Sequence, residues 1–260
     1  MLAVAFALRG TLVADRGLEH ATVAAILDEL SAHHAHLRLD LAPEARARLV
    51  PGPGPAAVPE IAARLAELVE AEPGKQLVRT LSARYRQIAA ALVPDYFATR
   101  DGAAETLGEI AKLGIPAAIL TNAIEGVAVA AAALAGFAGR VLAAEDIGHA
   151  KPAAAAYAAL ADAFGLPARN IYYVSADPSD IAAAHDAGLT TVLLEDAARS
   201  GAAAAPAHTI ASLPALLPLL AEPYARGMLS LRYVMHSALA WRPGHYVPGN
   251  EYCGPGETDD

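Results

Sequence analysis

The chain has 260 residues, is 55% hydrophobic and 18% charged, and carries a formal net charge of −9. That apolar fraction excludes a disordered chain, and the acidic balance speaks against a nucleic-acid partner. No run of about 18 apolar residues escapes charge or punctuation, so no membrane span is expected. Acidic residues soon after the apolar start, with no basic region before it, predict no signal peptide and a cytoplasmic protein. The one cysteine, Cys253, excludes an intrachain disulfide framework and a cysteine zinc site. Alanine makes up about a quarter of the chain, and 16 Arg stand against three Lys (Lys75, Lys112, Lys151), a pattern of coding bias before it is one of function. Alanine buries little area, so the core must rest on Leu, Val and Ile.

In chain order, residues 2–8 form a short apolar run that ends at Arg9-Gly10-Thr11, the length of a buried strand entering a turn. Helical spacing follows over 20–39 (Val23, Ile26, Leu27, Leu30, Leu37). Pro-Gly-Pro-Gly-Pro at 51–55 is a loop. Residues 58–71 and 75–93 read as two amphipathic helices, so 16–98 is expected to be an all-helical insert. Beyond it the pattern alternates. Helices are expected at 101–113, 124–135, 152–164, 179–187 and 212–220, and strands at 116–120, 140–143, 171–174 and 191–194. The Ala-rich stretch 197–207 reads as a surface loop, and no internal repeat is present.

Such alternation with short connections predicts an α/β fold, a Rossmann-like parallel sheet covered by helices on both faces. Ligands bind at the carboxyl ends of such strands. The expected organisation is a core of 1–15 and 99–220, a helical cap of 16–98, and an extension of 221–260. The extension carries helical spacing to about Leu239 and then an irregular Pro/Gly-rich tail. It holds five of the fourteen aromatics, and Arg232, Tyr233, Trp241, Arg242 and Tyr246 are types enriched at interfaces. They are the candidate contact for a second copy or a protein partner.

Four segments carry a resemblance. They are Phe6-Ala7-Leu8-Arg9-Gly10-Thr11-Leu12, Ile119-Leu120-Thr121-Asn122, Lys151-Pro152, and Val174-Ser175-Ala176-Asp177-Pro178-Ser179-Asp180. In order and spacing over 1–220, the chain resembles the haloacid dehalogenase-like superfamily, in its dehalogenase and phosphatase layout with a helical cap. The resemblance implies an aspartate nucleophile at position 7 and, in the phosphatases, an acid/base aspartate at position 9. The residues there are Ala7 and Arg9. A methyl group cannot attack phosphorus or carbon, and an arginine with a pKa above about 12 donates no proton near neutrality.

The last segment is where the phosphatases hold Mg²⁺ with oxygen ligands. Here Ala176 stands at the first acidic position, Asp177 follows it, and Asp180 stands at the second. The same segment is similar to the metal-free dehalogenase version, with Ser175 and Asp180 in place and Asp177 where that version has Asn. Mg²⁺ is therefore not expected, and no other cofactor is implied. What the resemblance leaves is a cradle for a small anionic ligand. Thr121 and Asn122 would bind through a hydroxyl and a backbone N–H, Lys151 would neutralise charge, Arg9 would add a planar cation, and Thr11, Ser175, Asp177 and Asp180 complete the set.

Plainer readings stand beside these. Thr121-Asn122 ends a strand, Lys151 and Arg9 pair with Asp177 or Asp180, and Asp180 caps the following helix. Thr11, Ser175 and Asp15 are the nearest substitute nucleophiles, and none has an evident paired base. His33, His34 and His36 lack the i, i+4 spacing of a helical metal site. His236 and His245, with Glu251 or Cys253, are better read as surface residues. Two functions remain. One is a pseudoenzyme that binds an anion or a partner; the other is a phosphatase or dehalogenase-like hydrolase with an altered mechanism.

Overall fold

The computed structural model describes residues 1–34, 41–50, 57–70, 72–195, 205–221 and 223. In chain order the elements are β1 (Ala3–Ala7), β2 (Val13–Asp15), α1 (Leu18–His33), α2 (Pro43–Arg48), α3 (Ala57–Glu67), α4 (Lys75–Tyr96) and β3 (Phe97–Thr99). After them come α5 (Ala103–Lys112), β4 (Ala117–Thr121), α6 (Glu125–Leu134), β5 (Arg140–Ala143), α7 (Ala144–Ile147), α8 (Ala154–Phe164), β6 (Ile171–Ser175), α9 (Pro178–Asp186), β7 (Thr190–Leu194) and β8 (His208–Ile210).

All five residues of β1 are buried. Successive side chains in a strand point to opposite faces, so both faces must be covered. Val4 and Phe6 enter one apolar cluster with Ile119 and Val174, and Ala5 and Ala7 enter the other with Leu120, Tyr157 and Tyr173. This is why the run 2–8 shows no polar alternation. The sheet runs β5-β4-β1-β6-β7-β8 with every ladder parallel. From β1 the chain first builds outward through β4 and β5, then returns and builds the other way through β6, β7 and β8. The connections therefore diverge at β1, and the crevice above the ends of β1, β4 and β6 is the place such a sheet offers to a ligand.

The α/β fold with a parallel sheet is thus the one expected, and several boundaries moved for physical reasons. Helix α1 ends at His33 rather than 39, because Leu30 is its last buried residue. Helix α4 continues past Val93 through Pro94 to Tyr96. A proline in the last turn forfeits little, and the Phe97 amide still reaches the Val93 carbonyl. The ribbon of β2 and β3, and the elements α2, α7 and β8, are three to six residues long and show no readable period.

The β2–β3 pair is antiparallel and flanks the helical segment at both ends, with Val13 facing Thr99 and Asp15 facing Phe97. Within the segment α4 packs against α1 and α3, and it also packs on α6. Arg86 of α4 pairs with Glu145 of α7 at 2.6 Å. The loop predicted at 51–55, most of the loop predicted at 197–207, and the tail with Arg232, Tyr233, Trp241, Arg242 and Tyr246 lie outside the described residues.

Candidate functional site

The turn after β1 sets the geometry of the site. Gly10 has φ of 75°, a left-handed conformation that costs an L side chain energy, and the Leu12 amide returns to the Leu8 carbonyl at 2.9 Å. Thr11 thereby comes next to the end of β6, where its Oγ1 accepts from the Ala176 amide at 3.0 Å. Thr11 is fully buried. It is a strut between two strand ends and does not line the cleft; neither does Ala176.

The cleft has a volume of about 310 Å³. Ala7, Arg9, Thr121, Asn122 and Lys151 line it, and Ser175, Asp177 and Asp180 close its far side. Seven of the eight candidate ligand residues therefore share one cavity, with the methyl of Ala7 among them.

The β6 side is a dense polar network around one carboxylate. Asp180, 7% exposed, lies in the first turn of α9. Its Oδ2 takes Lys151 Nζ at 2.7 Å, the Tyr173 hydroxyl at 2.8 Å and the Ser175 hydroxyl at 3.0 Å. Its Oδ1 takes the Tyr157 hydroxyl. A carboxylate offers about four lone-pair sites, so Asp180 has little acceptor capacity to spare. It does not cap α9. That task falls to Asp177, whose Oδ1 accepts from the Ser179 amide at 2.9 Å and the Ser179 hydroxyl at 2.7 Å.

Burial, reinforced by the Asp180 charge, raises the Tyr157 and Tyr173 phenols well above their ordinary value. Both remain protonated donors. Their rings meet edge to face at 5.5 Å between centroids. Neither tyrosine was among the sequence candidates, although two hydroxyl-bearing rings in apolar stretches of an aromatic-poor chain were a usable signal.

Lys151 donates to Asp180 and, at 3.0 Å, to Tyr173. An ammonium has three N–H groups, so one remains for the cleft. The loop that presents Lys151 is fixed by Asn122, whose Oδ1 takes the Lys151 amide and whose Nδ2 reaches its carbonyl, each at 2.8 Å. Thr121 Oγ1 accepts from the Ala123 amide at 3.1 Å. The side chains of this pair thus shape the β4 turn and hold the lysine.

Arg9 behaves differently from Lys151. Its guanidinium pairs with Asp15 at 3.0 Å and with Glu19, and lies 5.4 Å from the centroid of the Phe97 ring. Asp15 Oδ1 also accepts from the Gly17 and Leu18 amides, so one carboxylate starts α1 and holds Arg9. The charge of Arg9 is therefore balanced on the side of α1. Of the substitute nucleophiles, Ser175 does have a carboxylate partner, Asp180, which spacing alone could not reveal. It is also 1% exposed, and its oxygen accepts from the Asp177 amide at 3.1 Å. Among the described residues no group of three His, Cys, Asp or Glu side chains could hold a metal ion.

A family model for haloacid dehalogenase-like hydrolases matches residues 1–188. The chain belongs to that family. Solved structures of the same fold include a dehalogenase at 22% identity and TM-score 0.53, covering 85% of this chain and 97% of its own. CbbY from Rhodobacter sphaeroides, in complex with phosphate, matches at 19% identity and TM-score 0.60, covering 83% of this chain and 96% of its own. The L-2-haloacid dehalogenase from Xanthobacter autotrophicus, with chloropropionic acid covalently bound, matches at 19% identity and TM-score 0.51, covering 85% and 99%. No curated protein sequence matches. At these identities the structural likeness bears on the fold alone. Within the family's fold this chain keeps an open cleft and a buried Lys151–Asp180 pair, and presents Ala7 and Arg9 at the end of β1. No helix among the described residues is long and apolar enough to cross a membrane.

Proposed function

We propose that this member of the family binds a small monoanion in the cleft above β1, β4 and β6 and does not hydrolyse it. One observation carries the reading: Lys151, with two of its three N–H groups engaged, lines a cavity that also contains the methyl of Ala7 and, among the described residues, no nucleophile with a free base. The charges set the class of ligand. Lys151 is balanced by Asp180, Arg9 by Asp15 and Glu19, and Asp177 adds a negative charge at the wall. Two cations against four carboxylates leave no positive surplus, which disfavours a dianion more than a singly charged oxyanion.

The donor set does not fit Mg²⁺, which requires several oxygen ligands in octahedral array. Positions 7 and 176 offer methyl groups, Asp180 is filled by four donors, and Asp177 is engaged in capping.

A hydrolase of altered mechanism is the second reading, favoured by the 3.0 Å contact between Ser175 and Asp180. The Asp180 oxygen that Ser175 reaches already accepts from Lys151 and Tyr173, however, and the serine is buried.

The test is turnover of a panel of phosphate esters and 2-haloacids, with and without Mg²⁺, beside calorimetric titration with acetate and with inorganic phosphate. The expected result is no turnover, with acetate bound by the native chain and not by Lys151→Met. Turnover by the native chain that disappears in Lys151→Met would overturn the proposal in favour of the second reading.

A further inference from the structure

The chain enters the helical segment from β2 and leaves it into β3. Any turning of that segment against the sheet must therefore pivot on a ribbon with three residues in each strand. Short connections of this kind are where hinges form. The pivot has a weak point at Gly17, between β2 and α1. Its φ is 98°, and nothing lies within 4 Å of where a Cβ would stand.

One side chain reaches every part of this junction. Arg9 belongs to the core, in the turn after β1. Its guanidinium pairs with Asp15 of β2 at 3.0 Å and with Glu19 in the first turn of α1, and it lies over the ring of Phe97, which begins β3. Both crossings of the chain and the first helix of the segment are thus held from the core at one point. Asp15 extends the grip across the weak point. Its Oδ2 takes Arg9, while its Oδ1 accepts from the Gly17 and Leu18 amides at 2.9 and 3.0 Å. A second arginine ties the returning crossing to the same turn. Arg100 donates from its guanidinium to the Gly10 carbonyl, and from its amide to the Leu12 carbonyl at 2.9 Å.

We infer that Arg9 is a clamp that locks this hinge: it holds the helical segment at one angle to the sheet, so that the cleft keeps one aperture whether or not a ligand is bound. The lock does not depend on what the cleft binds. A guanidinium presents its donors in a planar fork, so it serves two carboxylates while its face meets a ring. A lysine ammonium, a compact charge on a flexible stem, keeps the charge without that geometry. Elsewhere the segment rests on the core through α4, by packing on α6 and by the Arg86–Glu145 pair, which is partly exposed and correspondingly weak.

The experiment is a pulsed electron-resonance distance measurement on the full chain. Spin labels are placed at Asp28→Cys of α1 and Asp162→Cys of α8, both exposed, in a Cys253→Ser background. It is made with Arg9 intact, with Arg9→Lys, and with Arg9→Met combined with Glu19→Gln. Neither variant alters the net charge of the Arg9–Asp15–Glu19 cluster. Hydrogen exchange is followed in the same proteins, with thermal unfolding as the check on folding. With Arg9 intact, one narrow distance distribution is expected, unchanged by added acetate or phosphate. In the double variant it should broaden or split, and exchange over residues 13–21 and 96–100 should speed by about tenfold while β6 and β7 keep their protection. Arg9→Lys should move both readouts in the same direction by less, and it carries the test if the double variant does not fold. A distribution already broad with Arg9 intact, or one that shifts on adding either anion, would overturn the lock. Equal distributions in all three proteins would do so too. So would exchange that speeds equally in β6 and β7, because that marks a general loss of stability and not a freed hinge.

Discussion

The two sides of the cleft have opposite character. At the end of β1 stand a methyl group and an arginine tied back to Asp15 and Glu19. Across from them, four donors from β6, α8 and the Lys151 loop converge on one buried carboxylate. The β1 side offers a methyl group and a cation paired away from the cleft; the β6 side is a closed hydrogen-bond network. The difference lies in how the groups are partnered and not in burial, since Ala7 is 2% exposed and Asp180 7%. The Lys151–Asp180 pair is 15% and 8% exposed, and removing the lysine leaves the buried Asp180 charge without its counter-ion. The β6 network is retained by the physics of the fold, whether or not any reaction uses it.

That contrast can be broken first at its centre. Asp180→Ala should destabilise the protein by about 3–5 kcal/mol, because Lys151 is left without its counter-ion and three hydroxyls lose their acceptor. Urea unfolding measures it, and a loss under 1 kcal/mol would show that the network is not what secures this side. By contrast, Ala7→Ser on the β1 side should change stability by less than about 1 kcal/mol in the same assay, since the new hydroxyl opens into the cleft.

A finer probe is Tyr157→Phe, which removes one neutral donor to a charged acceptor and leaves the ring. A loss of about 1.5–3 kcal/mol is expected. Because burial and the Asp180 charge keep this phenol protonated, the loss should be constant between pH 6 and 9; a pH-dependent loss would mean that the hydroxyl titrates.

The smallest effect lies where the helical segment meets the core. The hydrogen bond from Arg86 holds the Glu145 carboxyl below its ordinary value of 4.5. A carboxyl depressed in the folded state contributes stability that is present above its unfolded pKa and is lost as pH falls through the folded one. Glu145→Gln should therefore cost about 0.5 kcal/mol at pH 7, discounted because Arg86 is 42% exposed. That difference should shrink as pH falls below 4.5. Thermal unfolding of both proteins from pH 7 to pH 3 measures it, and a constant offset would show that the pair does not contribute through charge.

Much of the core was readable because its signals are local. An apolar run followed by Gly-Thr-Leu marked β1, and four short segments in order located the residues that form the cleft. The expectation for Arg9 fared differently. Nothing within a few residues of it announces Phe97, which lies 88 positions further on and supplies the ring beneath the guanidinium. Tyr157 and Tyr173 are not legible as site residues because a tyrosine in an apolar stretch reads as core until the buried carboxylate it serves is known. The partner of Ser175 is hidden for the same reason: it lies five residues on, across the turn into α9.

The sequence by itself determined the parallel α/β core, the family, and the replacement of two expected aspartates by Ala7 and Arg9. Those follow from hydrophobic period and residue identity, which are properties of short segments. Only the tertiary structure decided how the remaining charges are spent. It assigned Lys151 to Asp180, Arg9 to Asp15 and Glu19, and Asp177 to the start of α9. The reason is that the energy of a charge depends on its distance to others and on the solvent it has lost, and both are set by how separate segments pack.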